Sequence, residues 1–236
     1  KRSDLEFSGL SYSLMQSDNT EKEKLGTEIS KIIESKLNLL LNHFQVFGAS
    51  YIVKMANGKE EFSLHQDWSY TDEQKYEDCY TIWIPLQNTT PENGCMYVLP
   101  GSHKFFNNYR SATLETSRIS VLENSELSDT AIPLEMKRGE VLFFKQALFH
   151  GSFPNKSSND RVCAVAIIKN KNVPLYYYQK ANEKEVLRYS VNENLFINEL
   201  KSVSQGNLPS EYSSMKTISY AHVPVTNEML MNKINR

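Results

Sequence analysis

His65 and Asp67 stand two residues apart in the stretch "SLHQDWSY", within a run from Phe62 to Asp67 that reads as a strand. On a strand, residues i and i+2 project to the same face, which would set an imidazole beside a carboxylate. That is half of a metal site, and alone a weak signal in a chain with five histidines. His150 offers a third donor: it closes the run that begins Val141-Leu142-Phe143-Phe144 and precedes Gly151, where a strand would turn. Two imidazoles and one carboxylate on one side of an ion leave three adjacent positions open, the arrangement that suits non-haem Fe(II) in oxygenases. His43 falls in a predicted helix and His222 in an irregular tail, which leaves His103, after Pro100-Gly101-Ser102, as the competitor for the third position.

Arg161 lies eleven residues after His150, at the start of a predicted strand, and Ser152 lies two after it on the same strand face. An arginine fork holds a carboxylate through two parallel hydrogen bonds, and a dicarboxylate chelating iron at one end needs such a group at its other end. The Ser152 hydroxyl can donate to the same carboxylate. Taken singly, a surface ion pair and a turn hydroxyl explain these two residues. Their order after the His-x-Asp pair and the distant histidine is specific.

The segments "LHQDWSY", "WIPLQNTTPENGCMYVLPGSHK" and "RGEVLFFKQALFHGSFPNKSSNDR" resemble the phytanoyl-CoA dioxygenase family of Fe(II)/2-oxoglutarate-dependent oxygenases. The similarity covers residues 44 to 180 approximately, with the three blocks in the family's order. It implies a mainly β fold with flanking helices, a double-stranded β-helix or jelly roll. It also implies iron on His65, Asp67 and His150, and 2-oxoglutarate on Arg161 and Ser152 with Trp83 lining its site. With O2 as the second cosubstrate, the implied chemistry oxidises an unactivated C–H bond of a small molecule, releasing succinate and CO2. Hydroxylation is the first expectation. Ring closure or desaturation of a natural-product or amino-acid-derived substrate is the alternative. Related halogenases are expected to carry a small residue where Asp67 stands. Tyr70, Tyr80, Phe105, Phe106 and Arg110 flank the predicted mouth. Two other classes use the same fold: a divalent-metal hydrolase or isomerase acting through the same donors, and a ligand-binding module without catalysis. In the first, Arg161 and Ser152 would have no dicarboxylate to hold.

These groups need elements to position them. Leu25, Ile29, Ile32, Ile33, Leu37, Leu40, Leu41 and Phe44 recur at spacings of three and four, which predicts an amphipathic helix over residues 20–44, with Thr20 and Glu23 as a capping box. Beyond Gly48, short runs rich in β-branched and aromatic residues alternate with turn signals such as Asn57-Gly58, Pro91 to Gly94 and Arg138-Gly139. The predicted strands are 49–54, 62–67, 79–86, 95–99, 132–136, 141–150, 162–169 and 174–178. Many short strands after a leading helix argue for an antiparallel sandwich or barrel. Residues 102–130 lack periodicity and read as a lid or a linker. A short helix is predicted over 192–203, and the chain after Gly206 reads as irregular.

With 236 residues, 40% of them hydrophobic, the expectation is one domain spanning 1–236: helix 20–44, jelly-roll core 44–180 and a C-terminal extension 181–236. A net charge of -2 gives no field to gather nucleic acid or an acidic membrane, and no apolar run is long enough to span one. Three cysteines, an odd number without C-x-x-C spacing, fit a reduced cytoplasm. Oligomeric state is not legible.

Overall fold

The computed structural model describes residues 10–13, 19–76, 78–104, 108–114, 118–222 and 225–234. It is mainly β. Strands β1 (Leu10–Tyr12), β2 (Phe44–Lys54), β9 (Arg161–Asn170), β4 (Cys79–Pro85) and β7 (Leu142–Phe144) form a five-stranded sheet in the order β1-β2-β9-β4-β7. A facing four-stranded sheet runs β3 (Phe62–His65), β8 (His150–Ser152), β5 (Met96–Val98), β6 (Ile132–Leu134). Neighbouring strands in both sheets are antiparallel.

Side-chain parity divides the larger sheet into two faces. Ile82, Ala166 and Ile168 join Ile33 and Leu37 of helix α1 (Asn19–Leu37) in a buried cluster on the outer face. On the opposite parity, Thr81, Trp83, Arg161, Val165 and Ile167 line a cavity together with His65 and His150 of the second sheet. The four-stranded sheet is covered in turn by Leu64, Tyr97, Leu99 and Phe149 packing with Leu127 of α2 (Ser125–Thr130) and Leu230 of α5 (Asn227–Ile234). Burying each such side chain contributes roughly 1.5–3 kcal/mol.

Several sequence expectations change. Helix α1 begins at Asn19, so Thr20 lies inside it rather than ahead of it, and it ends at Leu37; Leu39 and Leu40 are 79% and 75% exposed. Residues 42–43 turn, with His43 at φ 65°, before Phe44 opens β2. The predicted strand 141–150 is two strands, β7 and β8, separated by the Lys145–Leu148 turn. The described residues of the 102–130 segment are packed rather than a lid: Arg110, Ser111, Leu114, Val121 and Leu127 are buried, and Ile119 bridges to Leu64.

The described part of the C-terminal extension forms regular elements. Strands β10 (Leu175–Asn182), β11 (Glu185–Val191) and β12 (Ser214–Ser219) make a third antiparallel sheet, and the predicted helix 192–203 is two, α3 (Glu193–Ile197) and α4 (Leu200–Ser204). Phe196 of α3 packs at 90° against Tyr70 with ring centroids 5.0 Å apart, tying this extension to the segment that follows Asp67. No described helix is long and apolar enough to cross a membrane.

Candidate active site

His65 and His150 are direct partners in the β3–β8 ladder, which sets both imidazoles on the same face of the sheet. Their ring centroids are 4.3 Å apart. Each Nδ1 faces a backbone carbonyl, Ser63 O at 2.9 Å and Leu148 O at 3.0 Å. A carbonyl only accepts, so Nδ1 is the donor in both rings, which leaves Nε2 as the atom turned toward a metal. Burial, then the neighbouring His150, holds the His65 imidazole well below its usual pKa, leaving it neutral.

Strand β3 ends at His65, so strand alternation does not place Asp67. Three contacts from distant segments do: its N–H donates to Gln146 O at 2.9 Å, its carbonyl accepts from Arg110 Nε at 2.6 Å, and Oδ2 accepts from Thr81 Oγ1 at 2.8 Å. That leaves Oδ1 facing the imidazoles, 3.9 Å from His65 Nε2 and 3.7 Å from His150 Nε2. All three donor atoms lie within 4.8 Å of one another. Ligand bonds of about 2 Å bridge pairs at 3.7–3.9 Å, so one cation can touch Oδ1 together with each imidazole. Two imidazole nitrogens and one carboxylate oxygen on one side are the donor set of a non-haem iron centre. Gly151, between His150 and Ser152, is required by space: a Cβ there would lie 2.4 Å from Phe62 O and 2.5 Å from the Tyr97 hydroxyl.

A cavity of about 170 Å³ joins this centre to Arg161, Ser152 and Trp83. Arg161 is 2% exposed, with its Cζ 5.5 Å from the Trp83 ring centroid. Its Nη1 donates to Cys163 Sγ at 3.2 Å, and its Nε has no partner. No carboxylate is in ion-pair contact with it among the described residues. Buried guanidinium groups are ordinarily paired, so the site is built to receive an anion.

The structure thus brings His65, Asp67, His150, Arg161, Ser152 and Trp83 to one cavity. Tyr70 lines it too, whereas Tyr80 packs against Phe44 in the cluster under α1. Arg110 is not a mouth residue: it is 4% exposed and bonded to Asp67 O, Asn108 O and Glu73 Oε1. Phe105 and Phe106 lie outside the described residues. His103 lies with Lys104 and Lys145 in a separate pocket and is not among the metal donors.

Sequence reading missed Thr81, Lys54 and Tyr12. Thr81 shares the inward parity of Trp83, which is the signal that could have found it. Tyr12 reaches the cavity from β1, where burial, then the Asp67 charge, pushes its hydroxyl pKa well up. Lys54 ends a strand and reads there as a solvated charge.

Residues 6–163 match the phytanoyl-CoA dioxygenase (PhyH) family. The chain belongs to that family of Fe(II)/2-oxoglutarate dioxygenases. Over 124 residues it is 34% identical to "Phytanoyl-CoA dioxygenase" of Arabidopsis thaliana, covering 49% of this chain and 41% of the relative. Over 145 residues it is 30% identical to "Phytanoyl-CoA dioxygenase 1" of Oryza sativa subsp. japonica, covering 60% and 49%. The chain spans about half the length of these curated relatives or less. Among solved structures, the epimerase SnoN in complex with Fe3+, alpha ketoglutarate and nogalamycin RO is similar at a TM-score of 0.48 and 14% identity, covering 94% of this chain and 77% of that one.

Proposed function

We propose that this chain is an Fe(II)- and 2-oxoglutarate-dependent oxygenase that oxidises an unactivated C–H bond of a small organic substrate, with hydroxylation as the outcome and succinate and CO2 as co-products. The observation that carries this reading is the buried Arg161, without a carboxylate partner among the described residues, in the same cavity as His65, Asp67 and His150. A hydrolytic metal site needs the three donors but not the arginine.

When bound, iron supplies the oxygen-activating chemistry. The chain supplies position. Asp67 is fixed in one orientation by Thr81, Gln146 and Arg110, and the two imidazoles by the carbonyls behind them. Arg161 and Ser152 take the far carboxylate of the keto acid, and Trp83, Val165 and Ile167 exclude water around its methylene carbons. The three free, buried cysteines support a reducing, cytoplasmic setting.

The test is oxygen consumption with succinate release from Fe(II) and 2-oxoglutarate, with metabolite pools searched for products that gain one oxygen atom. The wild type should couple the two and Asp67→Ala should do neither. Equal succinate release by both would refute the reading.

A further inference from the structure

Lys54 is directly opposite Arg161 in the β2–β9 ladder, and both residues are 2% exposed. Two buried cations therefore sit side by side. Lys54 Nζ donates to Ser152 Oγ at 2.8 Å and to Ser152 O at 3.1 Å, and no carboxylate is in ion-pair contact with it among the described residues. The nearby Glu61 is engaged elsewhere, accepting from the Tyr97 hydroxyl, Ser120 Oγ and the Val121 N–H. With an ammonium donating to Ser152 Oγ, the hydroxyl proton must point away from Lys54. Ser152 lines the cavity beside Arg161.

We propose that Lys54 is a positioning residue for 2-oxoglutarate: by donating to Ser152 Oγ it turns the serine hydroxyl into the cavity, so that the carboxylate held by Arg161 meets a second, pre-aimed donor. This rests on the reading of the cavity as a 2-oxoglutarate site. Its consequence is a coupling between cosubstrate and proton. Desolvation, then Arg161, lowers the Lys54 pKa to about 7, against the smaller opposing pull of Glu61, Cys95 and Glu60. An arriving dicarboxylate supplies the missing counter-charge and favours the ammonium form, so binding takes up a proton near neutral pH.

The experiment is calorimetric titration of the anaerobic, Fe(II)-loaded protein with 2-oxoglutarate at pH 7.5, in two buffers of different ionisation enthalpy. The wild type should take up more than about half a proton per site. Lys54→Met should bind 2-oxoglutarate about tenfold or more weakly, retain iron and lose the proton uptake. In a Ser152→Ala background the Lys54→Met effect on affinity should largely vanish, which a merely structural lysine would not produce. Unchanged affinity in Lys54→Met, an undiminished effect in the Ser152→Ala background, or no proton uptake by the wild type would each overturn the proposal. The wild-type proton count stands even where a variant fails to fold. Arg161→Ala separates the two levels: if it too binds normally, the cosubstrate assignment is wrong, whereas if it alone loses affinity, only the role of Lys54 falls.

Discussion

Thr81 Oγ1 donates to Asp67 Oδ2 at 2.8 Å, which leaves Oδ1 as the carboxylate oxygen that faces both imidazole Nε2 atoms. The threonine sits on β4 of the larger sheet and the aspartate beyond β3 of the other, so this bond fixes the site across the two layers.

Removing that hydroxyl while keeping the side-chain shape should let the carboxylate rotate. Thr81→Val is expected to weaken metal binding about 10–100-fold, with little change in thermal stability. Metal titration under anaerobic conditions checks this, and unchanged affinity would show that Asp67 is oriented by its backbone contacts alone.

Gly151 has no room for a side chain between Phe62 O and the Tyr97 hydroxyl. Gly151→Ala should push β8 off β3 and cost at least about 2 kcal/mol of stability. Denaturant unfolding measures it. A near-neutral result would mean that the two strands part easily.

Lys54 gives the metal-free protein a pH signature. Its folded pKa, about 7, is below the ordinary lysine value of 10.5, so between these values the unfolded chain binds a proton that the folded chain does not. Stability of the wild type should therefore rise with pH across this window, by up to about 1.4 kcal/mol per pH unit. Below the folded pKa, the full cost of burying the charge is present. The wild-type minus Lys54→Met difference in unfolding free energy, measured from pH 7 to pH 9, should carry this slope. A flat difference would mean that Lys54 stays protonated throughout.

The metal donors were legible because each is a rare residue type at the edge of an apolar run, and parity then delivers His150 and Ser152 to one face. Arg161 was legible for its type and its distance from His150. Lys54 was not, because a lysine at a strand end is ordinarily solvated, and its burial arises only when β2 pairs with β9 and β8 closes over it. The turn between β7 and β8, Lys145-Gln146-Ala147-Leu148, contains no glycine or proline to mark it. Strand β12 was missed because it is polar and largely exposed, whereas β11 carries an apolar alternation, Leu187, Tyr189 and Val191, that could have marked it. Helix α1 was overextended because Leu40, Leu41 and Phe44 keep its apolar spacing beyond Leu37, although Leu40 points into solvent and Phe44 opens β2.

The most direct measurement of the central claim is anaerobic titration of the Fe(II)-loaded protein with 2-oxoglutarate, followed by visible absorption. The account predicts a saturable charge-transfer band in the wild type, one that needs far more 2-oxoglutarate in Arg161→Ala and is absent in Asp67→Ala. No band in an iron-loaded wild type, or the same midpoint with and without Arg161, would contradict it.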